Sequence, residues 1–533
     1  MPTEIERPAD PDAAATSPSE VGGPYARYVL FVLVLVYIFN FLDRQIVSIL
    51  AESIRRDLDI GDDQIGFLYG TAFAVFYAVF GIPLGRLADV WNRRSLISLG
   101  LAVWSSMTAL SGLARSFPQL AAARIGVGIG EASATPAAYS LLSDWFPPAR
   151  RATVLAIYSS GIYIGAGLGL GIGGLVVDSW NGAWAPGEAP LGLRGWQAAY
   201  LVVGLPGLLM ALWVRTLREP TRGQAEGIPS PADPHPFRSF GRELESVLPG
   251  LTLWHLARVG GRRVLAANLM GAAAIAAVAW LLVRASGSLY QWIALGIGVY
   301  AALSWAQSLR LREPVTFALV FRTPALRWTG LGFSLLAFTG YGVGFWTAPF
   351  IQRLHGVSAA ESGLVLGGTA ATAGWLGVTL GGVLADRWRA AHPAGRLRLG
   401  MAVALVPIPF GIWFLTTEST TTAYVLNFPL SLAGSMWIGA GASTVTDLVL
   451  PRMRGVASAA YLLLLTFIGL ALGPYGIGIV SVRTGSLRTA MLMAFFANAL
   501  AVLCLLVAAR HLPSDEASVA ERAAAAGGDD RLR

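Results

Sequence analysis

Lysine is absent from this 533-residue sequence; all 39 basic residues are arginine. That absence excludes a Walker A phosphate loop, whose lysine sits on the β/γ-phosphates, and Schiff-base chemistry with retinal or pyridoxal phosphate. Charge of either sign is scarce, at 13% of residues, against the roughly one quarter usual in soluble proteins. With 55% hydrophobic residues, a water-soluble globule is excluded and a polytopic membrane protein expected. Cys504 is the lone cysteine, so no intrachain disulfide framework exists. The histidines (His235, His255, His355, His392, His511) all lie outside the expected spans, which leaves an intramembrane haem or zinc site without ligands. No cofactor is expected. GxSxG and HExxH motifs are also missing, which removes the common hydrolase constellations. The first 24 residues are acidic and Pro/Ala-rich, without a basic n-region and short apolar core. They read as a disordered cytoplasmic tail rather than a cleavable signal peptide.

What is present is a long series of apolar runs. A membrane span needs about 20 such residues, and segments of that kind lie near 26–50, 63–88, 94–114, 118–144, 151–178 and 196–216. A polar stretch from Leu217 to Arg263 follows, with Pro229, Pro231, Pro234 and Pro236, then two apolar runs near 264–283 and 287–309. Six more lie near 326–350, 360–385, 397–416, 421–447, 455–482 and 487–509, for fourteen spans in all. Arginines orient them. One side would hold Arg86, Arg93, Arg94, Arg150, Arg151, the 215–263 cluster, Arg310, Arg312, Arg322, Arg327, Arg387, Arg389, Arg396, Arg398, Arg452 and Arg454. The other would hold only Arg55, Arg56, Arg115, Arg194, Arg284, Arg353, Arg483 and Arg488. By the positive-inside rule both termini are cytoplasmic, and the membrane is expected to be a bacterial inner one. The pI near 9.8 is thereby explained without nucleic acid, although the basic linker offers a generic contact for anionic lipid heads.

The sequence repeats internally. Gly85-Arg-Leu-Ala-Asp89-Val-Trp-Asn-Arg93-Arg94 is echoed by Gly382-Val-Leu-Ala-Asp386-Arg-Trp-Arg389, and the segment from Pro147 to Tyr158 by that from Pro451 to Tyr461. Two parallel six-span halves are the signature of an alternating-access carrier. The Gly-x-x-x-Asp-x-x-x-Arg-Arg loop resembles the cytoplasmic gating motif of the major facilitator superfamily, with Val90 and Asn92 where the usual pattern has a basic residue and a glycine. Within it, Asn40-Phe-Leu-Asp43-Arg44, Arg124-Ile-Gly-Val-Gly-Ile-Gly-Glu131-Ala-Ser and Ser143-Asp-Trp-Phe-Pro147 resemble the spinster group. The resemblance covers nearly the whole chain and implies an all-α major facilitator fold. The expected organisation is a disordered cytoplasmic tail over 1–24, a six-helix bundle over 25–217 and a cytoplasmic linker over 218–325 carrying a transmembrane hairpin at 264–309. A second six-helix bundle follows over 326–511 and a disordered cytoplasmic tail over 512–533. The hairpin departs from the superfamily's common twelve-span plan.

Ionisable residues in a bilayer core are costly and mark pathways or proton relays. Span 1 carries Asp43 and Arg44, span 4 Arg124 and Glu131. Arg124 and Glu131 are two helical turns apart and share a face. The set is neutral when both carboxylates are ionised, so protonating either leaves a net positive site. Asp43 and Glu131 are therefore the candidate proton sites, and Arg44 and Arg124 the head-group or counter-charge partners. A static pairing of spans 1 and 4 is the plainer alternative. The later half has no such charges; Phe338, Tyr341, Phe345 and Trp346 are candidates for an apolar tail pocket, or for simple lipid-facing side chains. Gly85, Asp89, Arg93, Arg94, Asp144 and Asp386 are the candidate cytoplasmic gate. Glycines of span 5, Gly161 to Gly174, occur at four-residue spacing, which close helix packing explains; the run also resembles the superfamily's antiporter motif, with Ala166 in place of its proline.

The resemblance implies a monomeric, proton-coupled secondary carrier of amphiphilic lipids, lysophospholipid or sphingosine-1-phosphate-like, embedded in the bilayer and binding no nucleic acid. A carrier of small organic anions or drugs with the same fold is the nearest alternative. A non-transporting receptor or scaffold is a different-class one, and a lipid enzyme lacks its nucleophile. Without a Walker A loop the chain runs on an ion gradient, not ATP.

Overall fold

The computed structural model describes residues 21–185, 187–227 and 233–527, and all regular secondary structure among them is helical. The first half runs α1 (Pro24–Leu58), α2 (Asp62–Tyr69), α3 (Thr71–Val90), α4 (Arg93–Ser111), α5 (Phe117–Glu131), α6 (Ala134–Trp145), α7 (Pro148–Ala183) and α8 (Gly195–Arg215). The connection holds α9 (Pro236–Val247), α10 (Leu251–Ser286), α11 (Leu289–Arg312) and α12 (Pro314–Arg322). The second half runs α13 (Pro324–His355), α14 (Ala359–Ala391), α15 (Gly395–Leu405), α16 (Pro407–Thr416), α17 (Thr420–Ser435), α18 (Ile438–Asp447) and α19 (Arg454–Leu464). A π-helical turn, Leu465–Ala471, leads into α20 (Leu472–Thr484), and α21 (Leu487–Ala494), α22 (Phe496–Ala517) and α23 (Val519–Gly527) complete it.

Among the described residues, eleven helical segments are long and apolar enough to cross a membrane. The expected spans 94–114, 118–144 and 421–447 are not among them, for physical reasons. α4 opens on Arg93 and Arg94, and the other two are each broken mid-way, at Ala132–Ser133 and at Met436–Trp437. Two boundaries need correction. The run expected at 264–309 is longer, two antiparallel helices of 251–286 and 289–312 joined at Gly287, with a break inside α10 at Gly261 (φ 70°, ψ −175°). The tail expected to be disordered from 512 is helical through Gly527. There Asp515 accepts the Ala325 N–H at 2.8 Å, Arg522 reaches Thr323 and Ala523 is fully buried, so the alanine-rich segment docks on the start of α13. Residues 1–20 of the expected N-terminal tail lie outside the described residues, and Pro24 already opens α1.

Glycine explains how closely the helices approach. In α7, a Cβ at Gly161, Gly165, Gly169 or Gly173 would strike α1, at 3.2 Å from Val34 O, 2.3 Å from Ile38 O, 2.8 Å from Leu42 O and 2.6 Å from Ile49. A second stripe faces the other half: Gly167 would meet Gly367 O at 2.5 Å and Gly174 would meet Ala359 O at 2.1 Å. One helix thus packs backbone-to-backbone on two neighbours, which is what small-residue spacing permits. Gly165→Ala is expected to destabilise the protein by about 1–3 kcal/mol, whereas Gly182→Ala, with open space around it, should be neutral. Thermal unfolding in detergent checks the contrast.

The face carrying Pro24 and Ala517, called here the near face, differs from the far face. Hydrogen bonds that cross between the halves gather toward the far face: Ser48 Oγ donates to Phe345 O (2.6 Å), Thr71 Oγ1 to Ala471 O (2.9 Å), and the Ala360 N–H to Asp178 (2.7 Å). α11 lies along the seam between the halves, its Gly298 wedged between Val75 of α3 and Phe467 of the π turn. At its far end Ser288 donates to Asp63 (3.0 Å) and Arg483 to Ala285 O (2.7 Å), one contact to each half.

Candidate functional site

Span 1 is one continuous helix, so Asn40, Asp43 and Arg44 are placed by α1 alone; α5 needs help to reach them. Its glycines supply it. A Cβ at Gly128 would lie 2.5 Å from Phe73 O, and one at Gly130 would lie 2.7 Å from Trp104 N. α5 therefore sits tight on α3 and α4, and its C-terminal residue, Glu131, meets α1. The Arg44 Nη2 donates to Glu131 Oε2 at 2.8 Å; Glu131 is buried and the Arg44 side chain is 15% exposed. The rings of Phe73, Phe41 and Tyr77 surround the Arg44 guanidinium at 4.3, 4.7 and 5.4 Å, a cation–π setting that holds an arginine head without neutralising it. Tyr341 of α13 is 39% exposed. Arg44 is not wholly closed off by its pair, whereas Glu131 is.

Asp43 and Arg124 are both fully buried beside it. They do not form a direct ion pair with each other. Arg124 Nη1 donates to the Asp43 backbone carbonyl at 3.4 Å, and both Asp43 carboxylate oxygens lack a hydrogen-bond partner, as do Nε and Nη2 of Arg124. Trp104 and Thr108 of α4 border the carboxylate, and their Nε1 and Oγ1 are also unsatisfied. A buried polar group without a partner is uncommon and costly, and six such atoms gather here. The structure thus brings the four charges together but divides them, Arg44–Glu131 paired and Asp43 and Arg124 poised.

The four aromatic residues of α13 do not converge on one pocket. Phe345 stacks on Tyr69 (4.3 Å between centroids) and Trp346 donates to Pro474 O (2.8 Å), both fully buried in contacts between helices. Phe338 leans on α20, where a Cβ at Gly476 would meet its ring at 2.8 Å. Only Tyr341 of the four faces open space.

At the near face, Arg93 is completely buried between Asp144 and Glu219; its Nε donates to Glu219 at 2.7 Å, and its Nη1 to Asp144 and to Ser140 O (3.2 Å). Glu219 also accepts the Arg94 N–H (2.9 Å), and the Gly223 N–H donates to Asp144 (2.9 Å). All of these belong to the first half and its exit. Asp89 is exposed and Gly85 has open space beside it. In the second half Arg396 pairs with Asp447 at 2.5 Å, while Asp386 is 80% exposed and 3.7 Å away. Asp447 is thus the counterpart of Asp144, legible in the repeat of Ser143-Asp144…Pro147 by Thr446-Asp447…Pro451. Arg93→Gln strands the buried Asp144 and the partly buried Glu219 and should destabilise by about 3–5 kcal/mol, whereas Asp386→Asn should leave the melting temperature unchanged. Unfolding of the two purified variants tests this.

The far face holds a cluster that sequence reading missed. Arg353 of α13 donates to Glu52 of α1 (Nε, 3.0 Å) and to both carboxylate oxygens of Asp62 of α2 (2.8 Å each), and Ser481 of α20 donates to Asp62 (2.6 Å). Arg55 completes it, 3.4 Å from Glu52. Each residue is an ordinary span-end charge in the sequence, and only tertiary structure joins them.

A model of the family described as Major Facilitator Superfamily matches residues 33–474. The chain belongs to the major facilitator superfamily. An "MFS-type efflux pump" of Mycolicibacterium smegmatis is 28% identical over 451 residues, 84% of this chain and 83% of its relative. "Protein spinster homolog 1" of Homo sapiens is 26% identical over 477 residues, 86% of this chain and 74% of that one. A solved bacterial homolog of the human lysosomal transporter Spinster, inward-facing and unoccupied, superposes with a TM-score of 0.65 at 26% identity, covering 94% of this chain and 98% of its own. The protein is a spinster-type superfamily member, an integral membrane transporter rather than an enzyme.

Proposed function

We propose that this transporter is a proton-coupled carrier of amphiphilic lipids, of the lysophospholipid or sphingosine-1-phosphate-like kind, working as a monomer by alternating access. The near face is cytoplasmic in this reading, in a bacterial inner membrane, and the broken helices and the α10–α11 hairpin bring the spans to fourteen. The structure is then the inward-open state, sealed at the far face.

The Arg44–Glu131 pair carries the proposal, its carboxylate buried and its guanidinium partly exposed. A guanidinium bound to one carboxylate can exchange it for another anion. Protonating Glu131 dissolves the ion pair and leaves Arg44 a cation held by three rings. A phosphate head group then takes the carboxylate's place in a bidentate geometry, and its release lets Glu131 ionise again. Asp43 and Arg124, adjacent and incompletely bonded, supply a second protonation site. Gly85, Asp89, Arg93, Arg94, Asp144 and Asp386 belong to the cytoplasmic gate, in which Arg93 and Asp144 hold one half rigid. The lipid class rests on the resemblance to the spinster group; Tyr341 and Phe41 beside Arg44 suit a molecule with an apolar portion.

The efflux-pump relative favours a second reading, export of drugs or small organic anions, which would use Arg44 in the same way. Proteoliposomes under an imposed pH gradient separate the two. Radiolabelled lysophospholipid should move with the gradient and resist competition by a soluble carboxylate in large excess. Full displacement by the carboxylate would favour the second reading.

A further inference from the structure

We propose that the connection between the halves carries a docking surface for anionic phospholipid head groups at the near-face membrane boundary. α9 is amphipathic in the plain sense: Phe240 and Val247 pack into the core, while Phe237 rests on Trp91 with centroids 5.2 Å apart. Arg238 and Arg242, one turn apart, are exposed on its outer side. Thr252 Oγ1 donates to Ser246 O at 2.9 Å, so α9 passes rigidly into α10, and Arg312 of α11 holds both, 3.1 Å from Glu243 and 3.1 Å from His255.

The first part of α10 ends at Gly261, whose φ of 70° with ψ −175° no other residue adopts without strain. Beyond it Leu269, Met270, Val278, Trp280 and Leu281 are exposed along the outside of the molecule, as bilayer-facing residues are. Gly261 thus marks where the chain leaves the interface for the hydrocarbon. Just before that point Leu251, Trp254 and Val259 are exposed, and the Arg258 guanidinium lies 3.2 Å over the Trp254 ring. Arg262 and Arg263 follow, also exposed. Among the described residues, none of Arg238, Arg242, Arg258, Arg262 and Arg263 has a carboxylate within ion-pair distance, Glu243 being taken by Arg312.

Five unpaired cations interleaved with exposed Leu, Trp and Val, at the start of a bilayer-facing helix, match one kind of partner. Interfacial tryptophan marks head-group depth, and basic side chains there attract anionic lipid. A soluble polyanion would meet the arginines but leave the apolar side chains wet, whereas a lipid meets both. The surface lies outside the space between the halves, so it stands whatever amphiphile is carried.

The test uses the full chain in nanodiscs of phosphatidylcholine containing phosphatidylglycerol, with bound lipid counted by native mass spectrometry. Changing Arg238, Arg242, Arg258, Arg262 and Arg263 to Gln should lower retained phosphatidylglycerol at least fivefold. It should leave the unfolding midpoint in pure phosphatidylcholine unchanged, because the five side chains are exposed. Arg115→Gln, exposed on the far face, should retain lipid as the parent does. Equal retention in the five-arginine variant would overturn the proposal. Displacement of phosphatidylglycerol by a single-stranded oligonucleotide at physiological salt would overturn it in favour of a soluble polyanion.

Discussion

Glu131→Gln is expected to abolish proton-coupled lysolipid transport, with a loss of at least tenfold, while the protein folds normally. The amide occupies the carboxylate's place and still accepts from Arg44, so packing survives and only the exchangeable charge is lost. Asp43→Asn should behave alike, because the amide keeps the size and shape of the carboxylate beside Trp104 and Thr108. The reciprocal changes differ. Arg44→Gln leaves Glu131 buried without its cation, a situation that costs about 3–5 kcal/mol when one member of a buried pair is removed. Arg44→Gln should therefore lose both activity and thermal stability, and Glu131→Gln activity alone. Transport assays alongside melting curves resolve the pattern. A simple structural tie between the two helices predicts that both variants melt early and that neither alters proton coupling in what remains folded.

The second large effect is expected at the far face. Arg353 is the cation shared by Glu52 and Asp62 across the two halves, and the far face must open if the molecule alternates. Arg353→Gln removes the charge-assisted bonds and leaves two carboxylates facing each other. With hydrogen bonds to charged groups worth about 1.5–3 kcal/mol, the equilibrium should shift toward far-face opening by roughly ten- to a hundredfold. Spin labels at Cys substituted for Leu191 and Glu418, both exposed, read the change as a growing long-distance population once Cys504 is replaced by serine. An unchanged distance distribution would show that Arg353 does not govern the equilibrium. The contacts of Ser288 and Arg483 to the α10–α11 turn act in the same direction, so closure need not vanish entirely.

The helical nature of the chain, its two related halves and the charges within its first half are legible in the sequence because each has a local signature. Apolar run length gives spans, repeated Gly-x-x-x-Asp loops give the halves, and a charge inside an apolar run is conspicuous by itself. Packing glycines are legible as a stripe, although not that α7 offers two stripes to two different helices. Partnerships are less so. Asp43 and Arg124 are each conspicuous in their runs, yet side-chain direction decides that Arg124 bonds the Asp43 backbone carbonyl. Glu219 lies in a polar segment where many charges look equivalent, and Asp447 closes an apolar run as one span-end charge among many, which the repeat alone distinguishes. The far-face cluster draws Glu52, Asp62 and Arg353 from sites up to 301 residues apart, a distance over which sequence pattern carries no register. The docked helix after residue 512 is hidden by its Ala-rich, polar composition, which reads as a tail until Asp515 and Arg522 find their partners at the start of α13.

Exchange of a proton for an anionic amphiphile at the Arg44–Glu131 pair is the centre of this account. Its most direct test is proton movement in proteoliposomes holding the protein and a trapped pH-sensitive dye, with lysophospholipid added and no gradient imposed. A lysolipid-dependent pH change that follows protein density and disappears in Glu131→Gln is the expected result. Lysolipid crossing at the full rate with no accompanying proton, or a pH change of full size in Glu131→Gln, would contradict it.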